Sequence, residues 1–445
     1  MMGANFPLRK IMILAVGGVF IGGIGILVAF DPGLAISTIL LALFAAGSPL
    51  IARLLGIRFH KLVFQLFLFT LLFHFAIAAF LYYTQFTPFG GVGDYILYHE
   101  VATQAAERMR EGNFSMQGLD TSHYYPFVIG AVYALTIPAE MIGNTVSVGL
   151  AAITALLIYA VVLKMGGKEK MAFWISIFTT SFYPSYVYYG SLLLKDTLVI
   201  PLVLLGVLLM MNLMERFSVK GFIGFCLILI ALFPLRIYVG FAMLFTFIIS
   251  WVLFSKVHLI KKIILGAGVL YLVLFIPSFS GHTFGGFDVL QTYMSESWVS
   301  YYRQDAYVGS GSTVEAADIF GGPSQFIRGL LGSFMVVLLG PLPWQVTAWR
   351  QMLGLGEVLL WYFALPFIAL AFFTPLLKKR MVFILVIFSI LLFGVLSVYV
   401  SNMGIITRIR MPAFILLFSL LPFGLYLVHQ KIFGSRYFPI EPTVH

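Results

Sequence analysis

The sequence predicts an all-α membrane protein: a polytopic transmembrane helix bundle of about twelve spans, with two large extracytoplasmic loops that bear interfacial helices. Of its 445 residues, 61% are hydrophobic and 10% are charged, which is more apolar surface than a soluble core can bury. Apolar runs of roughly 20 residues recur, and this length crosses a hydrocarbon core about 30 Å thick. The basic residues also alternate between sides, as they do around membrane spans.

The apolar runs fix the approximate bounds of the spans. The first run follows Arg9 and Lys10 as a signal peptide would, but it is long and has no convincing small-residue cleavage site, so we interpret it as a helix. Two long segments without a span, 85–143 and 278–355, are the predicted large loops. The predicted spans are 11–30, 35–55, 62–84, 144–164, 171–188, 194–213, 221–235, 238–255, 262–277, 356–376, 381–400 and 411–429.

Charge placement gives the orientation. With a cytoplasmic N-terminus, the inside segments hold most of the 27 lysines and arginines but few of the 17 acidic residues. This satisfies the positive-inside rule and predicts a multi-pass protein of the cell (inner or plasma) membrane whose large loops face outward. The net charge of +10 therefore indicates cytoplasmic loops and not nucleic-acid binding. An additional span between residues 84 and 144 would invert every later loop, so segment 126–142 is predicted to lie flat at the outer interface.

The first outer loop contains the polar stretch G-G-V-G-D-Y, in which Asp94 stands where the glycines end and an amphipathic helix begins. Asp94 is either the N-terminal cap of that helix or a general base whose pKa is raised beside the membrane boundary. The following His99 and Glu100 either form the solvated face of that helix, or support Asp94, or help to bind a metal ion.

Two further sets of charged residues stand at the outer ends of predicted spans. Lys195 and Asp196 form either an ion pair that caps a membrane helix or a second active-site carboxylate with a nearby cation. Arg236, Arg408 and Arg410 lie on the side where basic residues are disfavoured. They either extend to lipid headgroups or bind phosphate oxygens through their guanidinium forks.

An outward site with carboxylates and arginines suits one kind of chemistry. Soluble nucleotides are scarce outside the cell, so a synthetic reaction there takes its activated group from a lipid. A polyprenyl-phosphate sugar is such a donor: arginines or a divalent metal would stabilise the leaving phosphate, and Asp94 would activate an acceptor hydroxyl on a protein, a lipid or a glycan. The sequence lacks a P-loop, a D-x-D triplet, a G-x-S-x-G elbow and an H-E-x-x-H motif.

At this point the sequence resembles the membrane-embedded GT-C glycosyltransferases, especially the bacterial relatives of protein mannosyltransferases and of lipid A aminoarabinose transferases. Four segments in order carry the resemblance, which covers roughly residues 60–255. They are G-D-Y-I-L-Y-H-E-V-A, H-Y-Y-P-F-V-I-G-A-V-Y-A-L, N-T-V-S-V-G-L-A-A-I-T-A-L-L-I-Y-A-V-V-L-K and Y-P-S-Y-V-Y-Y-G-S-L-L-L-K-D-T-L. Set against the family, residues 1–60 are an additional helix pair in front of a core at 61–277, which includes the first large outer loop. The apolar runs place the second large outer loop at 278–355 and the C-terminal transmembrane helices at 356–445.

The resemblance also implies an inverting transfer, with Asp94 at the catalytic position of the family and Asp196 as a second acidic residue. Two departures are visible. Tyr95 stands where an acidic residue often follows the first aspartate, and H-Y-Y-P stands where many members have a lysine near the lipid phosphate. Lys195, Arg236 or Arg408 is therefore expected to take the phosphate contact. The expected supporting residues are Tyr98, His99, Glu100, His123 and Tyr125, and the metal ligands, where a metal is used, are Asp94, Glu100 and Asp196.

Two other functions fit the same layout. An envelope polysaccharide polymerase or ligase also has many spans, large outer loops and outward arginines, and the pair Arg408 and Arg410 would suit its lipid-diphosphate donor. A transporter fits the number of spans, but the sequence shows no repeated halves, and its charges are scarce at mid-helix depth.

Overall fold

The computed structural model describes residues 22, 25, 27–86, 94–119, 124–255, 258–274, 291, 295–305, 319–320, 322–342, 344, 349–399 and 402–433. These residues are predominantly helical, and no strand occurs among them. The all-α class predicted from the sequence is therefore confirmed.

The helices are numbered in chain order, and a π-helical turn at Tyr301–Asp305 follows α12. They are α1 Pro32–Leu54, α2 Lys61–Thr84, α3 Asp94–Arg110, α4 Tyr125–Leu135, α5 Glu140–Lys164, α6 Glu169–Ser181, α7 Pro184–Tyr189, α8 Asp196–Glu215, α9 Val219–Leu235, α10 Ile237–Phe254, α11 Leu259–Leu274, α12 Glu296–Ser300, α13 Pro323–Leu339, α14 Trp349–Ala371, α15 Lys379–Tyr399, α16 Met403–Ile409, α17 Met411–Phe418 and α18 Leu421–Phe433.

Eight described stretches are long and apolar enough to cross a membrane, so the chain has the helices of a multi-pass membrane protein. They are Pro32–Leu54, Lys61–Thr84, Glu140–Lys164, Asp196–Glu215, Ile237–Phe254, Gly354–Ala371, Lys379–Tyr399 and Met411–Ile432. The other four of the predicted twelve spans are not among them. Span 11–30 lies outside the fully described residues, and span 171–188 is divided between α6 and α7, because Pro184 has no N–H to continue the helix. Spans 221–235 and 262–277 are represented by shorter apolar helices.

The central helix of the bundle is α5, which packs against α1, α2, α6 and α8. Small residues allow the close approach of helices that a membrane bundle requires. At Gly149 a β-carbon would lie 2.2 Å from the ring of Phe44 on α1, so only glycine leaves room for that ring.

The first predicted outer loop contains two packed helices. α3 buries Tyr98, Val101 and Ala102 among others on one face, as its apolar spacing predicts, and that face lies against α4. A β-carbon at Gly130 of α4 would lie 2.7 Å from Ala105 Cβ, which shows how closely the two helices approach. The single helix predicted over 126–142 is wrong in its bounds: α4 ends at Leu135 before Pro138, and Ile142 is buried in α5.

Candidate active site

Asp196, the first residue of α8, accepts hydrogen bonds from two arginines in a buried group of charged side chains. A non-helical segment precedes it, and the Leu193 N–H donates to Asn144 Oδ1 at 2.7 Å, which fixes that segment against α5. Arg236 lies between α9 and α10 and donates to both oxygens of Asp196: Nη2 at 2.8 and 3.0 Å, and Nε at 3.1 Å. The Asp196 side chain is 6% exposed, so this is a bidentate ion pair largely shielded from solvent.

Arg408, near the end of α16, joins Asp196 to Asp94 at the start of α3. Its Nε donates to Asp196 Oδ2, and its Nη1 donates to Asp94 Oδ2 at 2.6 Å. The third nitrogen, Nη2, is buried and has no hydrogen-bond partner among the described residues. A buried cationic N–H group without an acceptor is costly, and here it marks a position that an anionic oxygen would satisfy.

Asp94 is the first residue of α3, and its side chain is 54% exposed. Partial burial acts to raise the pKa of Asp94, but the charge and hydrogen bond of Arg408, with the charges of Arg236 and Lys195, outweigh burial and hold this pKa below its ordinary value. The raised pKa predicted from the sequence is therefore wrong for this state of the protein, because the sequence did not reveal the ion pair with Arg408.

Lys195 is the fifth ionisable residue of the site and is 4% exposed. Burial, followed by repulsion from Arg236, lowers the pKa of Lys195 to about 6, against the attraction of Asp196 and Asp94. Its amine is therefore largely neutral at pH 7. We call Asp94, Lys195, Asp196, Arg236 and Arg408 the charged cluster. When the Lys195 amine is neutral, the two carboxylates and the two guanidiniums of the charged cluster have a formal net charge of zero. When the amine binds a proton, the net charge of the cluster is +1.

Aromatic side chains surround the charged cluster. The Arg408 guanidinium lies 6.0 Å from the ring centre of Tyr189, and Arg236 Nη1 donates to Tyr238 Oη at 2.8 Å. The buried rings of Tyr98 and Tyr125 meet edge to face at 6.1 Å. The Tyr125 hydroxyl lies 3.3 Å from Thr197 Oγ1, one residue after Asp196, so both predicted supporting tyrosines border the cluster.

The remaining supporting residues are placed differently. His99 Nδ1 is hydrogen-bonded to Tyr133 Oη at 3.0 Å, and Glu100 is exposed. His123 lies outside the described residues. The described residues contain no group of three His, Cys, Asp or Glu side chains suited to hold a metal. The proposed ligands Asp94, Glu100 and Asp196 therefore do not form a metal site in the described structure. Both oxygens of Asp196 instead accept hydrogen bonds from Arg236.

Arg410 is not part of the charged cluster. It is 1% exposed and pairs with Glu357 of α14, with 2.9 Å between Nη2 and Oε1. Its Nη1 donates to the carbonyl oxygens of Val337 and Gly340 at 3.0 and 2.7 Å. Glu357 also accepts from the backbone N–H of Ser185 at 3.2 Å. Glu357 is not among the residues predicted from the sequence, although an acidic residue within an apolar run is a recognisable signal of a buried polar contact.

The charged cluster thus unites one side chain at the start of α3 with residues at the ends of three other segments. Two carboxylates, two guanidiniums and one amine lie together at helix ends, where a phosphate oxygen and a hydroxyl group have suitable partners. Comparison of the chain with protein-family models, with curated proteins and with solved structures found no match.

Proposed function

We propose that the protein is an integral membrane glycosyltransferase that moves a sugar from a polyprenyl-phosphate donor to an extracytoplasmic acceptor with inversion. The observation that carries the proposal is the shared position of Arg408, which contacts Asp94 and Asp196 and keeps a buried Nη2 without an acceptor among the described residues. An arginine fork matches the geometry of phosphate oxygens, and a carboxylate beside it is suited to take a proton from an acceptor.

In the proposed reaction, the acceptor oxygen attacks C1 of the sugar from the face opposite the phosphate. The new C1–O bond forms as the C1–O bond to phosphate breaks, and the electron pair leaves with polyprenyl phosphate. Arg236, Arg408 and protonated Lys195 offset the charge on the leaving phosphate. Asp94 takes the proton of the acceptor hydroxyl. Asp196 holds the two arginines in position and does not itself act on the substrate.

The proposed membrane arrangement follows the charge pattern. Twelve spans in the cell membrane would put the basic loops in the cytoplasm and the charged cluster outside, at the depth of the lipid headgroups. The location of the cluster at helix ends supports an enzyme that works at the membrane surface more than a transporter, whose substrate path needs polar groups at mid-helix depth. The acceptor is a protein, a lipid or a glycan that reaches this surface.

A single assay tests the proposed function. Purified protein in detergent is given radiolabelled polyprenyl-phosphate sugars with membrane extract as the acceptor source, and release of polyprenyl phosphate is followed. We expect Asp94→Asn to reduce release at least about 100-fold, because a positioned general base contributes roughly 10²–10⁴ to a rate. Glu107→Gln, which removes an exposed carboxylate of the same helix, should leave release unchanged.

The outcomes of this assay separate the functions. Release that Asp94→Asn does not reduce would contradict the role of Asp94 as the base. Release from lipid-diphosphate sugars, with none from monophosphate donors, would replace the proposal with the polymerase or ligase function.

The lowered pKa of Lys195 predicts that the KM for the donor depends on pH. Because this pKa is about 6, the amine is neutral above pH 6 and charged below it, and a bound phosphate favours the charged form. The donor KM should therefore fall about tenfold from pH 8 to pH 6. The phosphodiester of the donor does not titrate in this range. Lys195→Met should remove the pH dependence of the donor KM, and a KM that is equally pH-dependent in this variant would exclude Lys195 as its origin.

A further inference from the structure

The two carboxylates that share Arg408 are held very differently. Asp196 is 6% exposed and receives hydrogen bonds from Arg236 and Arg408. The Asp94 side chain is 54% exposed and has one ion-pair contact, the 2.6 Å hydrogen bond from Arg408 Nη1. Since half-exposed ion pairs contribute little stability and buried multidentate ones are costly to break, Asp94 is the partner that a competing anion would displace.

The unpaired nitrogen lies on the same edge of the guanidinium as the Asp94 contact. Nε is directed to Asp196, whereas Nη1 serves Asp94 and Nη2 is buried without an acceptor among the described residues. Two oxygens of one phosphate would engage Nη1 and Nη2 together in the fork arrangement that arginine favours. Asp94 occupies half of that edge and leaves the other half unsatisfied.

We infer that the donor phosphate replaces Asp94 on the Nη1–Nη2 edge of Arg408, so that the catalytic base is released only when the donor is bound. This inference rests on the proposed function. It makes Arg408 a switch between two partners: the carboxylate of the first outer loop in the free enzyme, and the phosphate in the donor complex. The donor must then bind before the acceptor hydroxyl is activated.

The electrostatics of Asp94 agree with this exchange. In the free protein, Arg408 is the strongest of the cations that hold the pKa of Asp94 down, with Arg236 and Lys195 also facing it. A carboxylate in that state is a weak base. When Arg408 turns to phosphate, partial burial acts with less opposition and the phosphate charge adds to it, so the pKa of Asp94 rises and its basicity increases. The acid limb of kcat should therefore lie at higher pH than the acid limb of kcat/KM for the donor.

The exchange has a measurable signature that a simple catalytic role lacks. The probe is undecaprenyl phosphate, and its Kd is measured by calorimetry with the full-length protein in detergent. Asp94→Asn removes the competing carboxylate, so this catalytically impaired variant should bind the probe about fivefold more tightly, the equivalent of one half-exposed ion pair. Glu107→Gln, at an exposed position of the same helix, should leave the Kd unchanged.

A double-variant comparison separates the exchange from a general loss of negative charge. In an Arg408→Gln background there is no Arg408 edge for which to compete, so Asp94→Asn should no longer tighten binding. Should Arg408→Gln fail to fold, Arg408→Met, which fills similar space without a charge or a hydrogen-bond donor, serves as the background, and the tightening should be lost there too.

The results distinguish the failure of the inference from the failure of the proposed function. Binding that requires Arg408 but is unchanged or weakened by Asp94→Asn would overturn the exchange and leave the proposed function in place. Equal tightening with and without the Arg408 edge would also overturn it. If undecaprenyl phosphate binds no better than uncharged undecaprenol to either the native protein or Asp94→Asn, the proposed function fails, and the exchange fails with it.

Discussion

Replacing Arg408 with glutamine should lower the rate of sugar transfer about 10³-fold or more while the protein stays folded. The variant loses the group proposed to stabilise the leaving phosphate, and arginines in comparable roles in phosphoryl transfer contribute roughly 10³–10⁵ to the rate. The fold should persist, because Asp196 keeps its bidentate partner Arg236. The measurement is release of polyprenyl phosphate under saturating donor, with size-exclusion chromatography to verify folding.

Two control variants sharpen this prediction. Arg408→Lys retains a positive charge but not the planar fork, so its rate should lie between those of the native protein and Arg408→Gln. Arg108→Gln changes an arginine of α3 that donates to the carbonyl oxygens of Gln117 and Gly118, away from the charged cluster, and it should transfer sugar at the native rate. Native activity in Arg408→Gln would exclude this arginine from the chemistry.

Replacing Glu357 with alanine should lower the free energy of unfolding by about 3–5 kcal/mol, the usual result of removing one partner from a buried ion pair. Glu357 and Arg410 are 2% and 1% exposed. The variant would leave the Arg410 charge without its counter-ion between α13, α14 and α17, and the Ser185 backbone N–H would lose its acceptor. Denaturant unfolding in mixed micelles measures the change.

The control for Glu357 is a glutamate in a more exposed ion pair, formed with a lysine. Glu215 is 39% exposed and pairs with Lys164 at 2.5 Å, so Glu215→Ala should cost less than about 1 kcal/mol. The double variant Glu357→Leu with Arg410→Met should regain much of the lost stability, because apolar side chains of similar size replace buried ion pairs with little cost. A Glu357→Ala variant as stable as Glu215→Ala would show that water reaches Arg410.

The sequence predicted which residues are unusual better than it predicted their partners. Asp94 stood out because it follows a run of glycines at the start of an amphipathic helix, and Lys195, Asp196, Arg236 and Arg408 stood out because charges at the ends of apolar helices are costly. All five lie in the charged cluster. The sequence places Arg408 and Arg410 two residues apart, which suggested that both could bind one phosphate group, but this spacing does not show where each side chain points. Residues two positions apart on a helix differ by about 200° in direction, and here Arg410 turns to Glu357.

The sequence by itself determined the class of this protein: its apolar runs and basic loops require a helical membrane protein, because a bilayer admits only segments that satisfy their own backbone hydrogen bonds. Only the tertiary structure decided the partners of Arg408, which lie 314 and 212 residues away in the chain. Composition and periodicity describe single helices, whereas these contacts depend on how the helices pack. The same packing reversed the predicted pKa shift of Asp94, because an ion pair formed across that distance outweighs partial burial.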